Sequence, residues 1–190
     1  MKKVFLVIAC ALVAISASAQ FKIEAGAGLG GYSKMSGFTN GAGFFANALY
    51  DIDLGASGNE NYFLETGVGF LANNIKDNSN GSKVNTSWIK IPVLFGSDFV
   101  AGNGYLTAAI GLYYARGIAG SISNGGVSLN VMGDIFKQND FGFEGKLGYT
   151  FSKGFGLFVS YEHGLANIAA QANSEAKTNV LSFGLSYKFF

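Results

Sequence analysis

The chain has 190 residues and a net charge of +1 from 13 basic and 12 acidic side chains, with one cysteine and one proline. So even a balance excludes the basic field that a nucleic-acid binder needs, and a single cysteine excludes a disulfide framework or a thiolate metal site. Low complexity would explain 28 glycines but not 18 phenylalanines and 9 tyrosines, whereas an aromatic-girdled β structure accommodates all of them.

Lys2 and Lys3 precede an uncharged run from Val4 to Ile15, and Ala17-Ser18-Ala19 follows ahead of Gln20. That order of basic, apolar and small residues reads as a secretory signal peptide, residues 1–19, cleaved after Ala19. Cys10 sits in an apolar run too short before it and too continuous after it for a lipoprotein box, so the remaining chain carries no thiol. Residues 20–190 then form one domain with no linker, repeat or charge block.

Eight alternating segments follow, each long enough for the roughly 9–11 residues of a tilted membrane strand. The first, about Phe21 to Tyr32, sets Phe21, Ile23, Ala25, Ala27 and Leu29 against Lys22, Glu24, Gly26, Gly28 and Gly30. The second, about Gly41 to Leu54, turns Phe44, Ala46, Ala48, Tyr50 and Ile52 outward and Asn47, Asp51 and Asp53 inward. The third, about Tyr62 to Asn73, opposes Leu64, Val68 and Phe70 to Glu65, Gly67 and Gly69. In the fourth, about Thr86 to Phe99, Ile89, Ile91, Val93 and Phe95 oppose Lys90, Pro92 and Gly96. Pro92 lacks a ladder donor, which predicts a bulge or irregular pairing there.

The fifth, about Gly104 to Arg116, directs Leu106, Ala108, Ile110, Leu112 and Tyr114 outward. The sixth, about Asp140 to Phe151, sets Phe141, Phe143, Leu147, Tyr149 and Phe151 against Glu144, Lys146 and Thr150. The seventh, about Gly154 to Gly164, sets Phe155, Leu157, Val159 and Tyr161 against Ser160 and Glu162. The eighth has the clearest pattern, with Leu181, Phe183, Leu185, Tyr187 and Phe189 on one side and Ser182, Gly184, Ser186 and Lys188 on the other. Such strands need an apolar and a polar solvent, which lipid outside and a polar lumen inside supply. The fold class is all-β: an eight-stranded antiparallel up-and-down transmembrane β-barrel, closed so that no sheet edge is left. A soluble lipocalin-like barrel is the alternative, but it would keep its apolar rows inside.

Connections near 55–61, 101–104 and 152–154 are short, and those near 33–40, 74–85, 117–139 and 165–177 are long. Short turns face the periplasm and long loops the exterior, which puts both ends of the mature chain in the periplasm. Val127–Lys137, in the longest loop, is expected to form a brief helix.

Ten charges point inward: Lys22, Glu24, Asp51, Asp53, Glu65, Lys90, Glu144, Lys146, Glu162 and Lys188. An eight-stranded interior is just wide enough for side chains to fill, so opposite signs should pair. Asp51 and Asp53 approach the periplasmic end and are expected to be hydrated. The remaining eight, Lys22, Glu24, Glu65, Lys90, Glu144, Lys146, Glu162 and Lys188, form the expected structural lumen network, four of each sign. Glu144 and Lys146 should neighbour Glu162, and Lys188 should neighbour both Glu162 and Lys22. A plug that holds the barrel shut is favoured over a gated proton or ion path.

Other motifs carry less. Gly26, Gly28 and Gly31 have dinucleotide-loop spacing but continue a strand rather than opening a helix. Asp77-Asn78-Ser79-Asn80-Gly81-Ser82 is a polar turn rather than a calcium loop. Ser160, Glu162 and His163 are close in sequence, yet period two puts Ser160 and His163 on opposite faces. No catalytic, cofactor-binding or metal-binding residue is therefore assigned, and the chain is read as non-enzymatic.

Ile91-Pro92, Asp140-Phe141-Gly142 with Gly145 and Gly148-Tyr149, Tyr161 through Ile168, and Leu185 through Phe189 resemble the PorT-like outer-membrane β-barrel proteins of Gram-negative bacteria. The resemblance covers mainly the second half and implies an outer-membrane barrel. Gly184, Tyr187 and Phe189, followed by Phe190, are similar to the terminal signal recognised by the barrel-assembly machinery. Expected partners are outer-membrane lipid, that machinery during insertion, and an unidentified surface or periplasmic protein; the barrel itself is expected to be a monomer. A structural or surface-interaction role comes first. An accessory role in secretion or envelope assembly, implied by the resemblance, comes second. A narrow channel or lipid-active enzyme is third.

Overall fold

The computed structural model describes residues 19–33, 38–77, 82–124, 127–133, 135–170 and 174–189. The expected signal peptide up to Ser18, the turn at 78–81 and Phe190 lie outside them. Among the described residues ten strands form: β1 (Ala19–Ser33), β2 (Phe38–Thr39), β3 (Gly41–Ser57), β4 (Glu60–Asp77), β5 (Lys83–Ala101), β6 (Gly104–Asn124), β7 (Val127–Asn130), β8 (Asn139–Phe151), β9 (Phe155–Gly164) and β10 (Lys177–Lys188). Eight of them close a ring in the order β4-β3-β1-β10-β9-β8-β6-β5, with β5 returning to β4, every pairing antiparallel. β2 adds to β4 and β7 to β6 beyond this ring. The barrel closes between the chain ends, where Lys22 to Ser33 face Lys188 to Lys177 in unbroken register.

The apolar rows of all eight segments are outside. Ile110, Leu185, Phe155, Phe44 and Leu147 are among the most exposed large side chains, although each is strongly apolar. This inversion of a soluble fold is stable only where lipid replaces water on that face.

The staves are unequal. β9 and β10 have 10 and 12 residues, whereas β4, β5 and β6 have 18, 19 and 21. The last three exceed the roughly 9–11 residues that a membrane strand needs, so they rise above the rest as a ribbon. β6 runs eight residues past the expected end at Arg116, because Lys83–Thr86 and β7 pair with its extension on either side. Tertiary pairing outweighs the weak, glycine-rich pattern there.

The helix expected over Val127–Lys137 does not form among the described residues of that span. Val127–Asn130 is spent on pairing with β6, and Gly133 at φ +95° breaks any helical run. The N–H groups of Ile135 and Phe136 both reach the Val131 carbonyl, at 3.0 and 2.9 Å, making one tight turn.

Opposite Pro92 the β4–β5 ladder skips two residue pairs, between Thr66↔Val93 and Gly69↔Lys90, without losing register. Thr66 Oγ1 donates to the Pro92 carbonyl at 2.8 Å in that gap. The bulges lie elsewhere, at Ser87/Trp88 and at Asp53/Gly55.

Candidate functional site: the charged lumen and its apolar cap

Period two aims the charged residues into the ring, and the register then decides which of them meet. From the periplasmic end, Lys188 Nζ lies 3.0 Å from Asp98 Oδ2 and 2.9 Å from Asp51 Oδ2. Lys22 Nζ lies 3.3 Å from Asp51 Oδ1 and 3.6 Å from Glu24, and pairs closely with Glu65. Lys146 continues the chain, donating to Glu24 at 2.8 Å and to Glu65 at 2.6 Å. Asn47 Nδ2 supports Glu24 at 3.0 Å. One layer higher, Lys90 from β5 reaches across to Glu144 on β8 at 3.0 Å and Glu162 on β9 at 2.6 Å. All these charged side chains are buried.

The eight residues of the expected network all lie in the lumen; Glu144 faces Glu162 and Lys188 faces Lys22, as expected, but one expected neighbour is not met. Lys188 does not meet Glu162, since Lys188 faces Lys22 across the seam while Glu162 faces Val180, eight residues farther along β10. Asp51, expected to be open to water, is instead buried between two lysines. Asp53 is exposed instead and caps the bulge by accepting the Gly55 N–H at 2.7 Å. Asp98 and Asp140 are two buried carboxylates that the residue reading left out. Their inward parity, continuous with Lys90 on β5 and Glu144 on β8, is the signal that identifies them.

Thr107 Oγ1 donates to Asp98 at 2.6 Å, and the Tyr113 hydroxyl to Asp140 at 3.1 Å. Among the described residues, six carboxylates therefore contact four ammonium groups, not four and four.

Apolar layers separate the charges. Phe63, Leu94 and Ala109 form one buried group, and the Lys22 and Lys188 ammonium groups lie 5.9 and 5.4 Å from the Phe63 ring centre. Phe45 and Phe158 meet edge-on at 5.8 Å over Gly26 and Gly184, which face each other across β1–β10. A Cβ at Gly184 would come within 2.7 Å of both rings, so any side chain there would have to displace them. The inner glycines make room for aromatic rings as much as for charged side chains.

At the extracellular end Tyr32, Ile75, Val84, Trp88, Val131, Phe136, Ile168 and Val180 form a continuous buried cluster. The loops are tied across it. Lys137 N donates to Ile168 O at 2.7 Å, Ala170 N to Ile135 O at 2.9 Å, and Asn167 Oδ1 accepts from Ala169 N and Ala176 N at 3.0 Å each. Beneath the cap, a cavity of about 10 Å³ lies among Lys90, Tyr113, Asp140 and Glu162. A polar pocket of about 140 Å³ opens at the other end, against Asp98 and Lys188.

His163 is half-buried, and its Nδ1 is 2.7 Å from Asn179 Oδ1, which also accepts from the Tyr161 hydroxyl at 3.2 Å. Ser160 and Glu162 are buried on the lumen side of β9. Gly26 to Gly31 continue β1 rather than opening a helix. At the periplasmic rim, Phe21, Tyr50, Phe155, Tyr187 and Phe189 form a run of ring contacts 4.7–5.5 Å apart that spans the closing seam. Tyr187 and Phe189 of the expected assembly signal lie in this girdle, and Gly184 lies on the lumen side.

Among solved structures, the chain is similar to the outer membrane enzyme PagL, with 13% identity, TM-score 0.57, and coverage of 89% of this chain and 99% of that one. It is also similar to the outer membrane protein OprG from Pseudomonas aeruginosa, with 14% identity, TM-score 0.50, and coverage of 90% and 96%. Neisserial surface protein A matches at 13% identity and TM-score 0.48, covering 90% and 97%. Likeness at this identity concerns the fold alone. A search of curated proteins finds no match. The profile of the outer membrane protein beta-barrel domain matches residues 4–189. With an inverted, closed barrel and a match over nearly its whole length, the chain belongs to the outer membrane protein beta-barrel domain family and is an outer-membrane protein.

Proposed function

We propose that the protein is a closed, non-enzymatic monomeric barrel whose task is to hold its tall β4–β7 ribbon above the outer membrane for a protein partner. The observation that carries this reading is the inequality of the staves: up to 21 residues in β6 against 10 in β9. Membrane crossing does not call for that extension, and the lumen beneath it is occupied by ion pairs and rings. Deleting 117–130 and rejoining the ends by a short turn should leave insertion intact while abolishing cross-linking to a cell-surface partner in cells. Unchanged cross-linking by the shortened barrel would refute the reading.

The non-enzymatic part rests on His163, whose ring nitrogen is engaged by an amide, while the nearby Ser160 lies on the lumen side. Nucleophilic catalysis needs the hydroxyl and the imidazole within hydrogen-bond reach. Purified protein should release no fatty acid from outer-membrane lipid, with or without a His163→Ala change. The PorT-like resemblance, carried by residues such as Ile91-Pro92 and Tyr161 to Ile168, supports an accessory role in secretion or envelope assembly as the form such partnership would take. The barrel-assembly machinery and outer-membrane lipid are the partners its biogenesis implies.

A further inference from the structure

The lipid-facing wall has a dent. Across β5, β6, β8 and β9, one outward row runs Phe95, Ile110, Gly145, Tyr161, and the next runs Ser97, Ala108, Leu147, Val159. Gly145 and Ala108 are the small members of these rows, and they open a groove of about 540 Å³ between Phe95, Ile110, Leu147 and Tyr161. A Cβ built on Gly145 meets nothing within 4 Å, whereas the other two β8 glycines, Gly142 and Gly148, each meet neighbouring atoms. No packing of the barrel itself therefore calls for glycine at position 145.

Ser97 supplies a second, independent feature. It lines the groove, is 8% exposed, and its Oγ has no hydrogen-bond partner. An unsatisfied hydroxyl in an apolar wall is costly, and it becomes favourable when an acceptor enters the groove. Ser97 stands four residues before Ala101, where β5 ends at the periplasmic turn. At about 3.3 Å per residue along a strand tilted ~35–45°, that is roughly 10 Å above the turn, near the edge of the hydrocarbon core. Acyl-ester carbonyls lie at this level, and the acyl chain beyond them is the apolar body that the groove fits.

We infer that the groove is a binding site for a phospholipid of the periplasmic leaflet, with the acyl chain over Gly145 and Ala108 and the ester carbonyl accepting from Ser97. A second copy of the barrel would bring apolar side chains to the same wall and leave the hydroxyl unpaired.

The test uses full-length mature protein in bilayers of equal diacyl- and dialkyl-ether phosphatidylethanolamine with matched chains, released into the gas phase for native mass spectrometry. The retained lipid should be the diacyl form by about three- to tenfold, the worth of one neutral hydrogen bond. The Ser97→Ala variant should retain both forms equally, and Gly145→Leu should lose both. Equal retention of the two lipids by the unmodified protein would overturn the ester contact. Retention undiminished in Gly145→Leu would overturn the groove as the site. Dimers that disappear on Gly145→Leu would assign it to a second copy instead.

Discussion

Lys90 is, among the described residues, the one ammonium in ion-pair contact with Glu144 and Glu162, which face each other directly across β8–β9. Two carboxylates opposed in a dry ladder repel, so the cation between them decides whether the layer is stable. Lys90→Met should destabilise detergent-refolded protein by about 3–5 kcal/mol in a denaturant titration, the usual cost of stranding a buried charge. Glu144→Gln should cost far less, because it leaves Lys90 its partner Glu162 and relieves the repulsion. Equal losses in the two variants would show that Lys90 does not hold the pair apart.

The same logic separates real from apparent neighbours. A double-mutant cycle on Lys188→Met and Asp98→Asn should give a coupling energy of roughly 0.5–3 kcal/mol, whereas Lys188→Met with Glu162→Gln should be additive within about 0.5 kcal/mol. The reverse pattern would mean that the register around the seam differs from the one described.

At the scale of elements, β10 is the strand expected to govern assembly. Its outer row ends in Tyr187, and Phe189 follows one residue past the strand; their rings meet at 4.7 Å and join Phe155 and Phe21 on the neighbouring strands. Replacing both with alanine should lower the folded, heat-modifiable fraction in outer membranes more than any single loop substitution. Leu185→Arg should cost about 2–4 kcal/mol if that site lies near the bilayer midplane. Normal folded levels in all these variants would contradict the role given to the strand.

The strands themselves were legible because period two is a local property, and each of the eight segments carries it. The tight turns were legible in part. Gly58-Asn59 and Gly102-Asn103 are two-residue hairpin loops with glycine at φ +63° and +60°, a signal that places the β3–β4 turn more narrowly than an expected loop over 55–61. The extension of β6 was not legible, since it depends on pairing with β5 and β7 rather than on the residues' own preferences; the loss of the helix at Val127–Lys137 was legible only in Gly133, the rest resting on the same pairing with β7. The lumen was legible as a set of inward charges but not as a set of pairs. Which carboxylate meets Lys188 depends on stagger and tilt around the whole ring, which no single strand encodes. Inward aromatic residues such as Phe45, Phe63 and Phe158 were passed over for a related reason. A small lumen needs volume as well as polarity, and rings over glycine supply it.

At the scale of the whole molecule, three layers succeed one another along the axis: the Lys22–Lys146–Lys188 network, the Lys90 layer, and the apolar cap fastened by loop hydrogen bonds. A hydrated ion crossing this axis would have to part buried ion pairs and then dewet against Ile75, Val84, Phe136 and Ile168, so two different barriers act in series. Outward, the same molecule presents a lipid-facing wall and a ribbon raised on one side, the surfaces on which the proposed interactions rest. Conductance across a planar bilayer doped with purified, refolded protein tests the filled lumen most directly. The expected result is a baseline indistinguishable from the protein-free membrane over the full voltage range. Steady open-channel steps that scale with salt concentration and persist after repurification would contradict it.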